Sequence, residues 1–243
     1  MRLDRWLGTL GEGSRSQLQK AIRQGQAAVN GPVERDPGFA CDPGRDTLSL
    51  GGAPLDGRLM RHVMLHKPAG LLTAARDAKQ PTVMDLLPPV YASIGCMPVG
   101  RLDKDTTGLL LLTCDGELNH RLLSPGRHVD KVYRAEVDGP LTTRDAEAFA
   151  SGLRLRDFDA EGAQLTILSS SDSRAEALVT VHEGKFHQVK RMFEAVGRTV
   201  TRLHREVFGP LTLPADLPQS AWRELTEEEV RALYQASGME EPQ

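Results

Sequence analysis

Any chemistry in this chain has to start from Asp103. It lies in the polar stretch Gly100-Arg101-Leu102-Asp103-Lys104-Asp105-Thr106-Thr107-Gly108, which runs directly into Leu109, Leu110, Leu111 and Leu112 and closes on Thr113. A carboxylate behind an apolar residue and two positions from a cation can serve as a nucleophile or a base, provided it stays ionised. Burial opposes ionisation of an aspartate, whose reference pKa is about 3.9, and a neighbouring cation favours it. The same residues also suit an ordinary turn or cap, and spacing alone favours that plainer use. Other chemistries lack their residues. The sequence has no phosphate-cradling Gly-Lys-Ser/Thr loop, no dinucleotide glycine fingerprint, no His/Cys group with zinc spacing and no Gly-x-Ser-x-Gly elbow.

The elements that would position Asp103 are partly legible. The leucine run predicts a short strand buried on both faces, with the polar stretch as a loop held against a rigid sheet. His62 to His66 and Lys131 to Val137 read as strands, and in the second Tyr133 shares parity with Lys131, Ala135 and Val137. An ordinary core tyrosine is the plain reading of that residue. Gln164 to Leu168 and Ala175 to His182 read as strands joined by a serine-rich turn. Helices are predicted from Asp115 to Leu123, with Leu118, Leu122 and Leu123 toward the sheet, from Leu141 to Phe149, and from Val189 to Val196. Pro81 to Pro88 reads as a short helix bounded by prolines. Thr226 with Glu229 fits a capping box on a last helix. Strand and helix signals interleave without regular alternation, so residues 59–235 read as an α+β domain with a mixed, mainly antiparallel sheet.

A separate module precedes it. Over residues 1–58, Leu3, Trp6, Leu7 and Leu10 fall at helical spacing, and Ser14 caps a second helix carrying Leu18, Ala21 and Ile22. Asp56-Gly57-Arg58 reads as a linker and hinge. Residues 236–243 read as a disordered tail. With 243 residues, the chain suits one large or two smaller domains. The formal net charge is −3, so a surface for a polyanion must be local. Two basic clusters meet that need. Up to Gly31, five basic residues face two acidic ones; from Lys185 to Arg205, six basic residues face Glu194 alone. No apolar run approaches the roughly 18 residues of a bilayer span, and no signal-peptide core follows Met1. Cys41, Cys96 and Cys114 are widely spaced and form neither a metal-type pair nor a disulfide framework, which fits a reducing cytoplasm.

Three motifs carry a family resemblance. Gly-Arg-Leu-Asp followed by Asp-Thr-Thr-Gly-Leu resembles the catalytic-aspartate motif of pseudouridine synthases. Lys131-Val132-Tyr133-Arg134 and Gly-Lys-Phe-His-Gln-Val-Lys-Arg-Met resemble the family's second and third motifs. The front module resembles the S4 RNA-binding domain through Arg-Leu-Asp-Arg, Ser-Arg-Ser, Ile-Arg-Gln-Gly and Val-Asn-Gly. The resemblance runs nearly the full length. The Lys-Pro-Ala-Gly-Leu-Leu-Thr-Ala and Leu-His-Arg-Glu stretches lean toward the branch that acts on small-subunit ribosomal RNA.

That resemblance implies isomerisation of a uridine to pseudouridine in 16S ribosomal RNA, with the target base flipped out of its stack. It implies Asp103 as the catalytic carboxylate, Tyr133 as a ring face for the uracil, and Lys190 as the cation paired with the carboxylate. It implies Arg5, Arg15, Lys20 and Arg23 as phosphate contacts of the front module, with Lys67, Arg101, Lys185 and Arg191 as RNA contacts near the cleft. The reaction needs no cofactor or metal. The family precedent is a monomer acting on ribosomal RNA, within an assembling small subunit and without a membrane. Three other readings stay open on the residues: an enzyme acting on 23S RNA, a non-catalytic S4-type assembly factor, and a carboxylate-dependent nucleoside hydrolase.

Overall fold

The computed structural model describes residues 1–241. The front of the chain folds as two helices over a small sheet. Leu3, Trp6 and Leu7 recur on one face of α1 (Leu3–Thr9) and are buried, and Leu18 and Ile22 of α2 (Arg15–Arg23) pack on them. Ser14 starts α2 through a capping box: its hydroxyl accepts from the Gln17 N–H, and the Gln17 side chain accepts from the Ser14 N–H at 3.0 Å. The sheet beneath has the order β2-β1-β3-β4, all antiparallel, from β1 (Ala27–Val29), β2 (Val33–Glu34), β3 (Leu48–Leu50) and β4 (Ala53–Leu55).

The segment that follows, which the sequence predicts as a linker, makes several contacts. The Trp6 indole N–H donates to the Gly57 carbonyl at 2.8 Å. Arg58 pairs with Asp56 at 2.6 Å and with Glu224 at 2.9 Å, and Arg61 reaches both acids at 3.4 Å. Leu59, Val90 and Ile94 also pack against the front core.

The second region opens with β5 (His62–Lys67). A 3-10 turn over Val83–Leu86 leads into α3 (Pro89–Ser93), then β6 (Met97–Pro98) and β7 (Thr107–Thr113). After these come α4 (Gly116–Leu123), β8 (Lys131–Asp138), α5 (Thr143–Ser151), β9 (Leu153–Arg154), β10 (Asp159–Ala160), β11 (Gln164–Ser170) and β12 (Arg174–Val181). The chain ends with α6 (Gln188–Ala195), β13 (Val200–Phe208), β14 (Leu211–Thr212), β15 (Trp222–Glu224) and α7 (Glu227–Ser237). The large sheet has the order β11-β12-β8-β13-β7-β5-β15; only the β13–β7 pair is parallel, with β14 and β6 added alongside. This is the α+β architecture with a mixed, mainly antiparallel sheet that the sequence predicts. No helix among the described residues is long and apolar enough to cross a membrane.

The four leucines of β7 explain why the sheet is rigid where it matters. Every residue of β7 is buried. Leu110 and Leu112 join Val63, Leu65, Phe149 and Phe193 on one face, while Leu109 and Leu111 join Met64, Phe208 and Tyr234 on the other. A strand covered on both faces has no polar side to alternate with, hence the continuous apolar run. Gly108, at φ +108°, begins this run beside β13, where a Cβ would collide with the Arg205 backbone.

Several expectations differ from the structure. Leu123 points outward and is exposed. The short helix expected between Pro81 and Pro88 is present as the 3-10 turn over Val83–Leu86, but a second helix not foreseen, α3, follows from Pro89, because a proline at the first helical position has no N–H to lose. Cys96 and Cys114 are not lone thiols; they form a disulfide with Cα atoms 4.0 Å apart, brought together by the antiparallel β6–β7 pairing next to them. Cys41 is a buried free thiol. The expected tail from 236 is ordered at its start: Ser237 is fully buried in α7 and Met239 packs on the core, while residues 242–243 lie outside the described residues.

Candidate active site

The polar stretch before β7 has no regular secondary structure, so its shape must come from other bonds. Most come from the segment after β5. The Lys67 ammonium donates to the carbonyls of Asp103 at 3.0 Å, Thr106 at 2.9 Å and Pro68 at 3.0 Å, with Lys104 at 3.4 Å. Thr73 Oγ1 donates to the Leu102 carbonyl at 2.7 Å, and the Gly70 N–H donates to the Lys104 carbonyl at 2.7 Å. The Asp103 loop is thus a backbone arc wrapped around one buried cation.

Lys67 therefore does not stand where the sequence put it. It was read as a cation facing RNA, but it is 0% exposed and its donors are spent on carbonyls. Burial pushes its ammonium down to about 8, so it is still mostly charged at neutral pH. Lys67→Met strips several buried carbonyls of their donor at once. A loss of about 3 kcal/mol or more is expected. That corresponds to a melting temperature lower by roughly 6–12 °C for a chain of this size. Thermal unfolding checks this, and an unchanged melting temperature would mean the ammonium does not hold the loop.

On this arc the Asp103 carboxylate is part-exposed at the edge of the sheet, facing α6. The apolar side of α6, Val189, Met192 and Phe193, is buried on the sheet, and this aims Lys190 at the loop. Lys190 Nζ lies 3.1 Å from one Asp103 oxygen and 2.6 Å from Asp105. His187 Nε2 lies 3.5 Å from the other Asp103 oxygen. Burial works against the Lys190 charge, but the two carboxylates more than offset it and hold its pKa above the usual lysine value. The hydrogen bond from Lys190 in turn holds Asp105 below the usual carboxylate range.

Tyr133 comes from β8, two sheet positions from β7, and points to the same side as Ala135 and Val137. It lines one cavity together with Asp103. Leu102, Val181, Val189 and Leu203 give its wall an apolar side, and Arg101, Thr106, Glu183, Lys185, His187 and Gln188 also line it. The enclosed space is small, about 60 Å³, roughly two waters' worth. Beneath Tyr133 lies Arg205, 1% exposed, which sequence reasoning counted among surface bases. Its Nε donates to the Leu109 carbonyl at 2.7 Å, its Nη1 is 3.5 Å from the Tyr133 hydroxyl, and its Nη2 has no partner. Thr106 Oγ1, also lining the cavity, is likewise buried without a partner. A signal for Arg205 did exist, since it shares parity with the apolar Leu203 on β13.

The structure thus joins Asp103, Tyr133 and Lys190, but it dissolves the basic cluster expected from Lys185 to Arg205. Lys185 pairs with Glu183 and lies over the Phe158 ring at 4.7 Å. Arg191 pairs with Asp157 at 2.6 Å, and Arg202 with Glu136 at 3.4 Å. Asp157 and Glu136 are remote in sequence from the bases they neutralise, whereas Glu183 lies just ahead of Lys185. By contrast, Arg5, Arg15, Lys20 and Arg23 on the front helices are exposed, as is Arg101 at the cavity mouth. Among the described residues, no group of three or more His, Cys, Asp or Glu side chains is placed to hold a metal ion.

Comparison with known proteins finds matches for both parts of the chain. The family model described as RNA pseudouridylate synthase matches residues 61–195, and the S4 domain model matches residues 1–46. The ribosomal small subunit pseudouridine synthase A of Pseudomonas aeruginosa is 42% identical, covering 95% of this chain and 99% of that protein. Its namesake in Escherichia coli K12 is 37% identical over 96% of this chain and 100% of its own. The uncharacterized RNA pseudouridine synthase YtzG of Bacillus subtilis is 38% identical over 96% and 98%. A crystal structure titled pseudouridylate synthase superposes with a TM-score of 0.67 at 33% identity, covering 96% of this chain and 99% of that one. The chain therefore belongs to the RNA pseudouridine synthases, with an S4 domain ahead of the pseudouridylate synthase domain.

Proposed function

We propose that this protein converts one uridine of small-subunit (16S) ribosomal RNA to pseudouridine, with Asp103 as the catalytic carboxylate. The observation that carries the reading is the carboxylate of Asp103 lining a cavity that it shares with Tyr133, 3.1 Å from Lys190. The reaction breaks the bond between ribose C1′ and uracil N1 and joins C1′ to C5 instead. One proton leaves C5 and N1 regains one, so nothing is oxidised or reduced. Lys190 sets a positive charge beside the Asp103 carboxylate, the group that either attack on the ribose or removal of a ribose proton requires.

The reacting bond is out of reach inside a helix, so the nucleotide must be extruded, at a cost of a few kcal/mol. The apolar side of the wall and the Tyr133 ring offset that cost by stacking.

In this reading residues 1–58 form the RNA-binding module and 59–235 the catalytic one. The exposed Arg5, Arg15, Lys20 and Arg23 hold phosphates, and Arg101 holds the backbone at the cavity mouth. Lys185 and Arg191 contribute charge only by exchanging their present acidic partners for phosphate. The enzyme works as a cytoplasmic monomer on RNA in an assembling small subunit. The names of the near full-length relatives support the small-subunit substrate.

Site-resolved mapping of pseudouridine in both large ribosomal RNAs, with and without this gene, tests the assignment. One small-subunit uridine should stay unmodified when the gene is absent. A missing site in the large-subunit RNA instead would overturn the substrate, and unchanged maps in both would overturn the function.

A further inference from the structure

Next to the Asp103–Tyr133 cavity lies a second and larger one, about 430 Å³, within the size range of small-molecule sites. Its walls are Leu72 to Ala74 on one side and Gly184 to His187 on the other, with Arg101 to Lys104 between. The two cavities share Arg101, Leu102, Asp103, Gly184, Lys185 and His187, so they adjoin across the carboxylate.

Phe186 stands at the lip of the larger one. It is 70% exposed, the highest value among the large hydrophobic side chains of the described residues. Its ring does not join the core but lies flat on the His187 imidazole, with centroids 3.8 Å apart and planes 19° apart. His187 holds a left-handed backbone at φ 52°, a conformation that costs energy for a residue with a Cβ. This geometry keeps the Phe186–His187 pair over the Asp103 loop and leaves the ring on the cavity's lip. Exposed Arg101 and Lys104 stand on the same walls, with Asp77 and the shared Asp103 as their acids. An aromatic face with an exposed arginine beside it is the combination that stacks an unstacked base and holds its phosphate.

We propose that the larger cavity is a subsite for the nucleotide adjoining the target uridine, with its base stacked on Phe186 and its phosphate against Arg101. This deepens, and rests on, the functional reading above. The subsite holds the strand open beside the extruded uridine, so the neighbouring base cannot close over the gap. Because every base has a stacking face, Phe186 supplies affinity and register without reading a particular base.

The test is a binding cycle on a synthetic RNA spanning the mapped uridine. One copy is intact, and two others carry an abasic nucleotide on the 5′ or the 3′ side of the target. Phe186→Ala should weaken binding of the intact RNA about five- to hundred-fold, the range of one lost base–aromatic stack. It should have little effect on the RNA that already lacks the base on the contacted side, and Phe186→Tyr should stay within a few-fold of wild type. Equal weakening of all three RNAs, or none, would overturn the subsite. Pseudouridine formation in the same intact RNA separates the two claims. Wild-type protein that forms none overturns the functional reading, whereas wild-type protein that forms it with no coupling in the cycle overturns the subsite alone.

Discussion

Asp103→Asn abolishes pseudouridine formation, lowering the rate by about 10⁴-fold or more, and leaves RNA affinity within a few-fold of wild type. The magnitude follows from removing a group that acts at the reacting atoms, for which neither attack nor proton removal has a substitute. The selectivity follows from the geometry. Asparagine has the same shape, and the loop under it is held through backbone carbonyls by Lys67 and Thr73, none of which involve the carboxylate. Lys190 keeps Asp105 as a partner at 2.6 Å, so the cation stays where it was. The front helices, with their exposed arginines and lysine, are untouched. Rate and affinity measured on the same RNA check the prediction. Comparable losses in both would mean that the substitution had deformed the cleft.

Lys190→Met is expected to cost less, about 10²- to 10³-fold in rate, and to change the response of stability to pH. The substitution removes the cation 3.1 Å from Asp103 and leaves Asp103 and Asp105 on one loop with only His187 near Asp103. Stability should follow the same pair. Asp105 is held below its unfolded value, so its contribution is present above about pH 4 and fades as pH falls through the lowered folded value. Lys190 is held above its unfolded value, so its contribution is full below about pH 10 and fades as pH rises through the raised folded value. The stability difference between wild type and Lys190→Met is therefore a plateau across the neutral range that shrinks at both ends. Rates on the same RNA and denaturant unfolding across pH check both halves. An unchanged rate would show that Lys190 has no part in the work of Asp103.

The sequence carried the frame of this site better than its supports. The leucine run of β7 was readable as a strand buried on both faces because nothing in it alternates. The Asp103 loop was readable as its polar approach. Lys190 and Tyr133 could be assigned to that loop only through their motifs, since β8 and α6 meet it from positions far along the chain. Lys67 was misread for a physical reason: a lysine before Pro-Ala-Gly looks like an exposed turn cation. Its burial depends on carbonyls 36 to 39 residues away in sequence. The basic cluster failed in the same way, because a local charge sum does not see Asp157 or Glu136 across the fold. Arg205 could have been found, since it alternates with Leu203 on a strand that must be buried. The Cys96–Cys114 disulfide gave no such sign: a separation of 18 residues says nothing until β6 is laid against β7.

The most direct measurement is a structure of the Asp103→Asn protein bound to RNA carrying the target uridine. It should show one pyrimidine swung out of the strand, its ring against Tyr133 and its ribose within reach of residue 103, with Lys190 alongside. A target base still stacked in the RNA, or RNA lying across another face with this cleft empty, would contradict the account.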